Sequence, residues 1–461
     1  MVSLRPYSMS ANAKLTRGSI PAHLVTQALP MMLGVAATMS IGLVDAYFIG
    51  QLGSAELAAI AYIFPITVVL TSLGVGLMVG INSVVARALG EGDTEKAHRR
   101  ANLGIVLALA SGAAIGLALF TFADPLFRLM QAPAHLLPLI REYVRPLGLG
   151  FMLMTTILGI SGVLRGQGEA RMTFYVSVSY AAANWVLDPL LITGAFGFEG
   201  FGIAGAAYAS IIGWTIGVAL GLSLIGKSLL PFRPRMIAQC RVKETAAAIV
   251  SVAGPAAFAN AINPVGLSVL TTLISREGEA AVAGFGAAGR VQSFALVPLL
   301  ALSGAIGAIV GQNWGASQPE RSRQAMLLAG GFSMAYGLAI AVALAFGGGW
   351  FADFFTDDPQ IMTQFARYLS IAAWGYAGFG VLIVANGALN AVDRAAFSLT
   401  QSALRVFLVM LPIAWFLRPA WGADAIYTAE LAANLIGGCV AALVVWRVLR
   451  VGPASSSTEG D

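Results

Sequence analysis

Charge is what this sequence has least of: 11% of its 461 residues are Asp, Glu, Lys or Arg, against roughly 25% in soluble domains. Hydrophobic residues make up 58%, more than a water-soluble core absorbs. Cysteine is scarce too. Cys240 and Cys439 lack metal-ligand spacing and cannot form a disulfide framework, so both are read as free thiols. The three histidines, His23, His98 and His135, fall in or near predicted loops or helix ends, which excludes an imidazole relay at mid-membrane. The sequence also offers no HExxH motif, metal triad or nucleophile constellation, and so no membrane-embedded enzyme. No convincing cleavage site is read either: the first 20 residues are polar and basic (Arg5, Lys14, Arg17), but the apolar stretch behind them exceeds a signal-peptide core. The first span is expected to be retained.

What the sequence has instead is apolar runs of about 20 residues, each long enough to cross a hydrocarbon core of about 30 Å as a helix. Twelve spans are predicted, near 26–50, 58–86, 101–123, 137–160, 172–193, 202–226, 245–272, 280–312, 326–350, 366–389, 397–417 and 425–447. The 53 glycines suit close helix packing and bending in lipid. Basic residues are sorted by loop parity. One set of loops holds Lys96, Arg99 and Arg100, then Arg165 and Arg171, then Lys227, Arg233, Arg235, Arg241 and Lys243, then Arg321 and Arg323, then Arg394; the alternate loops hold scattered arginines such as Arg128, Arg276 and Arg418. By the positive-inside rule, both termini and the basic loops face the cytoplasm. The net charge of +5 therefore reads as topology and not as nucleic-acid binding.

The chain matches itself at an offset of 225 residues. Pro30 pairs with Pro255 and Gly53 with Gly278; VARALGEGDTEKAHRR lies over VGQNWGASQPERSRQA, and SGVLRG over NGALNA. Each half holds six spans, an even number, so both enter from the same side and are related by an axis along the membrane normal, as in transporters whose halves rock about a central site. The fold class is thus an all-α integral membrane protein with twelve transmembrane helices in two pseudo-symmetric six-helix lobes. The expected domains are a first lobe at 1–226 that carries the cation site, a cytoplasmic linker at 227–244, a second lobe at 245–450 and a polar tail at 451–461.

Most carboxylates lie in predicted loops; Asp45 in span 1 and Asp188 in span 5 do not. A carboxylate at a helix centre costs about 2.5–3.5 kcal/mol on the insertion scale, so such residues mark ion or substrate paths. Both acids sit about 8 Å below the outer hydrocarbon edge, from a rise of about 1.5 Å per residue, and can share one cavity. Asn184 lies one turn before Asp188 on the same face, Pro189 frees the carbonyl of Trp185, and Ser210 of span 6 lies a little deeper. The competing reading is that both acids snorkel to the outer interface or cap helix ends. Arg290, Gln292, Arg405 and Glu430 read as packing residues, interfacial anchors or members of an Arg–Glu pair. Asn260 and Asn263 could line a cavity or satisfy each other. The 225-offset partner of Asp45 is Leu270, so ion chemistry is expected in the first half.

These residues carry a resemblance. LVDAYFIGQLGSAELAA, VGQNWGASQPERSR and NWVLDPLLI are similar to signatures of the multidrug and toxic compound extrusion (MATE) transporters, along roughly residues 18–450, and the last resembles the DinF-like branch. The resemblance implies two six-helix lobes forming a V, and export of organic, often cationic drugs or toxic metabolites in exchange for H⁺ or Na⁺. It places Asp45, Asn184, Asp188 and Ser210 at the cation site, with Na⁺ held at Asp45, Asn184 and Asp188 if that is the ion, and a helix bend near Pro30. Many NorM-like relatives have Glu where this chain has Asn263, which puts carboxylate coupling in the second lobe in doubt. No cofactor beyond the coupling ion is implied. The partners are small organic molecules and membrane lipids, the protein a monomer, and its location the bacterial inner membrane. A flippase for a lipid-linked precursor is the alternative function.

Overall fold

The computed structural model describes residues 12–195, 197–238 and 240–452; Arg5 and the tail from residue 453 lie outside the described residues. The transmembrane helices are α1 Ile20–Leu52, α2 Ser54–Gly90, α3 Thr94–Leu129, α4 Leu137–Gly166, α5 Ala170–Asp188, α6 Ile203–Gly226, α7 Val242–Glu277, α8 Glu279–Gly315, α9 Pro319–Ala352, α10 Pro359–Ala391, α11 Ala395–Trp421 and α12 Ala423–Val451. All but α5 are long and apolar enough to cross a membrane on their own account. Arg171, Asn184 and Asp188 lower the hydropathy of α5, and a π-helical turn, Pro189–Thr193, lengthens it to the predicted end. Large apolar side chains stand bare on these helices: Phe346 is 81% exposed, Phe416 77% and Val186 70%. Water would not tolerate such faces over a whole bundle; lipid does.

The duplication is written into the backbone. Left-handed residues recur at the sequence offset, Gly92 with Ser317 and Gly168 with Asp393, in the turns after the second and fourth helices of each half. Where a short antiparallel ribbon pairs Gly194 with Glu199 and Ala195 with Phe198, the first half holds five residues more than the second. The offset then becomes 220, and the capping glycines of α6 and α12, Gly202 (φ 60°, ψ −140°) and Gly422 (φ 56°, ψ −132°), adopt one conformation.

Two compact units emerge. One comprises Leu29–Ala88 and Asp93–Ala257; the other comprises, of the described residues, those through Ala28, Leu89–Gly92 and those from Phe258 on. The divisions fall inside α1, just before Pro30, and inside α7, just after Pro255, and not in the 227–244 segment. The physical reason is local packing. Leu15, Ile20 and Leu24 bury against Leu302, Ile306 and Ile309, while the Leu15 amide donates to Gln312 Oε1 at 3.0 Å and Asn313 Nδ2 donates back to the Leu15 carbonyl at 3.1 Å. The last turns of α8, through Gln312 and Asn313, thus fasten the segment ahead of α1. Conversely, the first turns of α7 lie on α2, where a Cβ on Gly76 would come within 2.5 Å of the Ala253 carbonyl oxygen. The 227–244 segment is tied to the first helices: Asn102 Oδ1 accepts from the Arg233 amide at 2.5 Å and Gln167 Oε1 from the Leu230 amide at 3.2 Å.

Within each half, helices cross where side chains are absent. A Cβ on Gly116 of α3 would lie 2.1 Å from the Gly148 carbonyl of α4, and one on Gly438 of α12 would lie 2.5 Å from the Gly378 carbonyl of α10. Proline marks the distortions. α3 kinks at Phe122 ahead of Pro125, α8 breaks at Leu296 ahead of Pro298, and α11 carries a π-helical stretch, Leu404–Met410, ahead of Pro412. The missing N–H and the ring clash at each proline loosen the preceding turn.

Candidate functional site

α1 and α5 run side by side in the same direction, in a ladder of small and polar contacts. A Cβ on Gly34 would sit 3.3 Å from Ser177 Cβ, the Tyr180 hydroxyl lies beside Thr38 and Ser177, and Trp185 Nε1 donates to Ser40 Oγ at 3.0 Å. The next step of the ladder brings Asp45 to Asp188. Their carboxyl groups are close enough to share a hydrogen bond once one of them carries a proton. Asp188 is fully buried, and Asp45 is half-buried.

Among the described residues, three of this pair's four oxygens have no hydrogen-bond donor. Both oxygens of Asp188 and Oδ1 of Asp45 are buried without a partner among the described residues. The contrast with other acids on these helices is plain: Asp124 is held by Arg141 through two bonds of 3.0 and 2.6 Å, and Asp424 by Arg367 through two of 3.0 and 2.6 Å. Two bare carboxylates in a low dielectric repel each other and have lost their water. A proton or a cation between them relieves both penalties at once.

Asn184 and Ser210 form the adjoining step. Asn184 Nδ2 donates to the Tyr180 carbonyl at 2.8 Å, and its Oδ1 accepts from Ser210 Oγ at 3.4 Å; both side chains are buried. Gly213 makes room for them, since a Cβ there would meet Asn184 Nδ2 at 2.4 Å. The structure therefore brings the predicted residues together as two neighbouring pairs, Asp45 with Asp188 and Asn184 with Ser210. Pro30 lies apart from them, four turns earlier on α1. One group escaped sequence reasoning: the buried Tyr143 of α4, which lies in the field of both aspartates. Its 225-offset counterpart is Tyr368, a signal that a comparison of the halves contains.

A second polar cluster lies in the other half. Glu430 of α12 is 3% exposed; Gln292 Nε2 of α8 lies 2.5 Å from its Oε1, and the Tyr368 hydroxyl of α10 lies 2.9 Å from its Oε2. That hydroxyl also stands 3.1 Å from Gln292 Oε1. Arg405 of α11, likewise 3% exposed, is held by Asn434 and Asn263 and lies over the Phe379 ring, 4.4 Å from its centroid. Neither residue is an interfacial anchor, and no salt-bridge contact joins Arg405 to Glu430. The guanidinium instead has two amide oxygens and an aromatic face as its solvent.

Comparisons with known proteins bear on this arrangement. The MatE family profile matches residues 30–190 and 255–416, one copy in each half. The chain is 33% identical over 400 residues to the FAD transporter of Shewanella oneidensis, covering 85% of this chain and 86% of that one. It is 28% identical over 425 residues to the probable multidrug resistance protein YpnP of Bacillus subtilis, covering 92% of each. Among solved structures, it superposes on the Vibrio cholerae MATE transporter VcmN in the bent form with a TM-score of 0.88, 28% identity, and coverage of 94% of this chain and 97% of that one.

Proposed function

The chain belongs to the multidrug and toxic compound extrusion (MATE) family, whose members are membrane transporters and not enzymes, and from that premise we propose that it is a secondary antiporter exporting organic compounds against entering H⁺ or Na⁺. The observation that carries this reading is the donor-poor pair Asp45 and Asp188, set in the membrane on adjacent helices. Such a pair is costly when empty and is relieved by one positive charge.

The coupling follows from elementary electrostatics. With the pair ionised, the first-half site is negative and attracts a cationic or polar organic molecule; with a proton or Na⁺ bound, that attraction falls. Occupancy by ion and by substrate are then linked, and each weakens the other by the same free energy. Asn184, Ser210 and the Trp185 carbonyl offer oxygen ligands beside the acids, and the buried Tyr143 lies in their field. Pro30 gives α1 a weak point below the site, where the missing amide leaves the Thr26 carbonyl without its helical donor. The substrate class is organic and amphipathic, in keeping with relatives named for FAD and for multidrug resistance. The sorting of basic loops supports a bacterial inner-membrane location with both termini in the cytoplasm, and the protein acts as a monomer.

The test is flux in proteoliposomes, with FAD and ethidium as probes, at fixed membrane potential and with pH and Na⁺ gradients imposed separately. Efflux that follows one gradient in the wild type and loses that dependence in Asp45→Asn supports the reading. Flux indifferent to both gradients overturns it.

A further inference from the structure

The three contacts among Glu430, Tyr368 and Gln292 pose a counting problem in hydrogen atoms. Gln292 Nε2 carries hydrogens and donates to Glu430 Oε1 at 2.5 Å. The Tyr368 hydroxyl carries one hydrogen, yet stands 2.9 Å from Glu430 Oε2 and 3.1 Å from Gln292 Oε1. If Glu430 is ionised, that single hydrogen serves the carboxylate, and the Tyr368 and Gln292 oxygens face each other at 3.1 Å with nothing between them. If Glu430 carries a proton on Oε2, the ring closes: carboxyl to Tyr368, Tyr368 to Gln292 Oε1, Gln292 Nε2 back to Glu430 Oε1. Each contact then has one hydrogen.

The geometry points to a second proton-binding site, in the second half, where Glu430 holds a proton in a closed ring with Tyr368 and Gln292. This inference rests on the antiporter reading and extends it to the half in which the sequence placed no ion chemistry.

Three further observations support it. First, pseudo-symmetry puts the ring at the counterpart of the first-half site. Tyr368 stands 225 residues after Tyr143, and Glu430 is the eighth residue after Gly422, as Ser210 is the eighth after Gly202. Arg405 and Asn263, which bond each other, are the 225-offset partners of Tyr180 and Thr38. The acid has moved from α1 and α5 to the last helix. Second, the surroundings favour a proton over an alkali ion. The charged or titratable groups facing Glu430 are Tyr368 and Tyr376 on α10 and Arg405 on α11; α7 and α8 contribute the amides Asn263 and Gln292. A proton and a metal cation add the same charge in the field of the guanidinium, but the 2.9 Å between Glu430 Oε2 and the Tyr368 hydroxyl has room for a hydrogen and not for a metal ion. Third, the site has spare polar groups. The buried Tyr376 hydroxyl lies beside Tyr368, and Asn434 Nδ2, buried without a partner among the described residues, abuts Gly375, the residue before Tyr376. Groups of this kind serve water and proton passage in a buried cluster.

Infrared difference spectroscopy of the full-length protein reads a protonated carboxyl directly. Asp188 and Glu430 are the buried acids among the described residues, so Asp45→Asn/Asp188→Asn protein should keep one buried-carboxyl band at neutral pH. Adding Glu430→Gln should remove it, and Glu430→Asp should restore it at a shifted frequency. Tyr368→Phe should shift the band without removing it, which covers the case in which Glu430→Gln fails to fold. Absence of the band from the Asp45→Asn/Asp188→Asn protein overturns the inference. If the double substitution changes neither the carboxyl bands nor their response to Na⁺ while the Glu430 band persists, it is the first-half reading that fails.

Discussion

At the scale of single residues, the two buried acid sites differ in what the protein gives them. Both oxygens of Asp188 and Oδ1 of Asp45 are buried without a donor among the described residues, so the pair calls for a mobile ion; Glu430 has the Gln292 amide at Oε1 and the Tyr368 hydroxyl beside Oε2, and one hydrogen closes its ring. Asp45→Asn keeps the shape and fixes a neutral state. It should lower gradient-driven efflux on the order of tenfold or more at unchanged expression, measured as initial dye efflux normalised to protein in the membrane. Gly213→Val tests the neighbouring step. Its side chain would enter the space of Asn184 Nδ2, 2.4 Å from the nearest Cβ position, and overpacking of this kind costs about 1–3 kcal/mol. The melting temperature in detergent should fall, and transport should fall with it; Gly213→Ser should lie between the two.

At the scale of elements, the helices are held apart or together by what glycine and proline omit. α3 and α4 touch backbone to backbone at Gly116 and Gly148, and α10 and α12 at Gly378 and Gly438. A carbonyl cannot swing aside as a side chain can, so Gly116→Leu and Gly438→Leu should each cost more than Gly226→Leu, whose position meets open space. Thermal melts of the three variants check the order, and a Gly226→Leu protein as unstable as the others would refute it. The twelve spans were legible because lipid demands long apolar helices whatever their partners. The π-helical turns at Pro189–Thr193 and Leu404–Met410 were not. Proline announces that a turn will loosen, but neighbouring helices select which way it does so.

For the whole molecule, the loop charges make a topological prediction that the helices leave open. With Cys240 and Cys439 replaced by Ser, cysteines at Arg235 and at Ala55, both exposed, should react with an impermeant maleimide from opposite sides of the membrane. Labelling of both from outside the cell would refute the cytoplasmic placement of the 227–244 segment. The duplication governs this scale as well. Its offset was visible in matched motifs, and the left-handed residues at 92 and 317 and at 168 and 393 repeat it in the backbone.

Composition, periodic apolar runs and self-similarity determined on their own that this is a twelve-helix membrane protein built twice, because the bilayer fixes helix length and a duplicated gene fixes the order of elements. The pairing of Asp45 with Asp188 was partly readable, since their depth follows from counting along helices of known rise. Which lateral neighbours they meet was not. Tyr143 of α4 came within the field of both acids, and Glu430 met Gln292 and Tyr368, 138 and 62 positions away in sequence, only because α8, α10 and α12 pack with those faces inward. Depth along a helix is a local property of the chain; rotation about its axis is settled by all the helices that surround it.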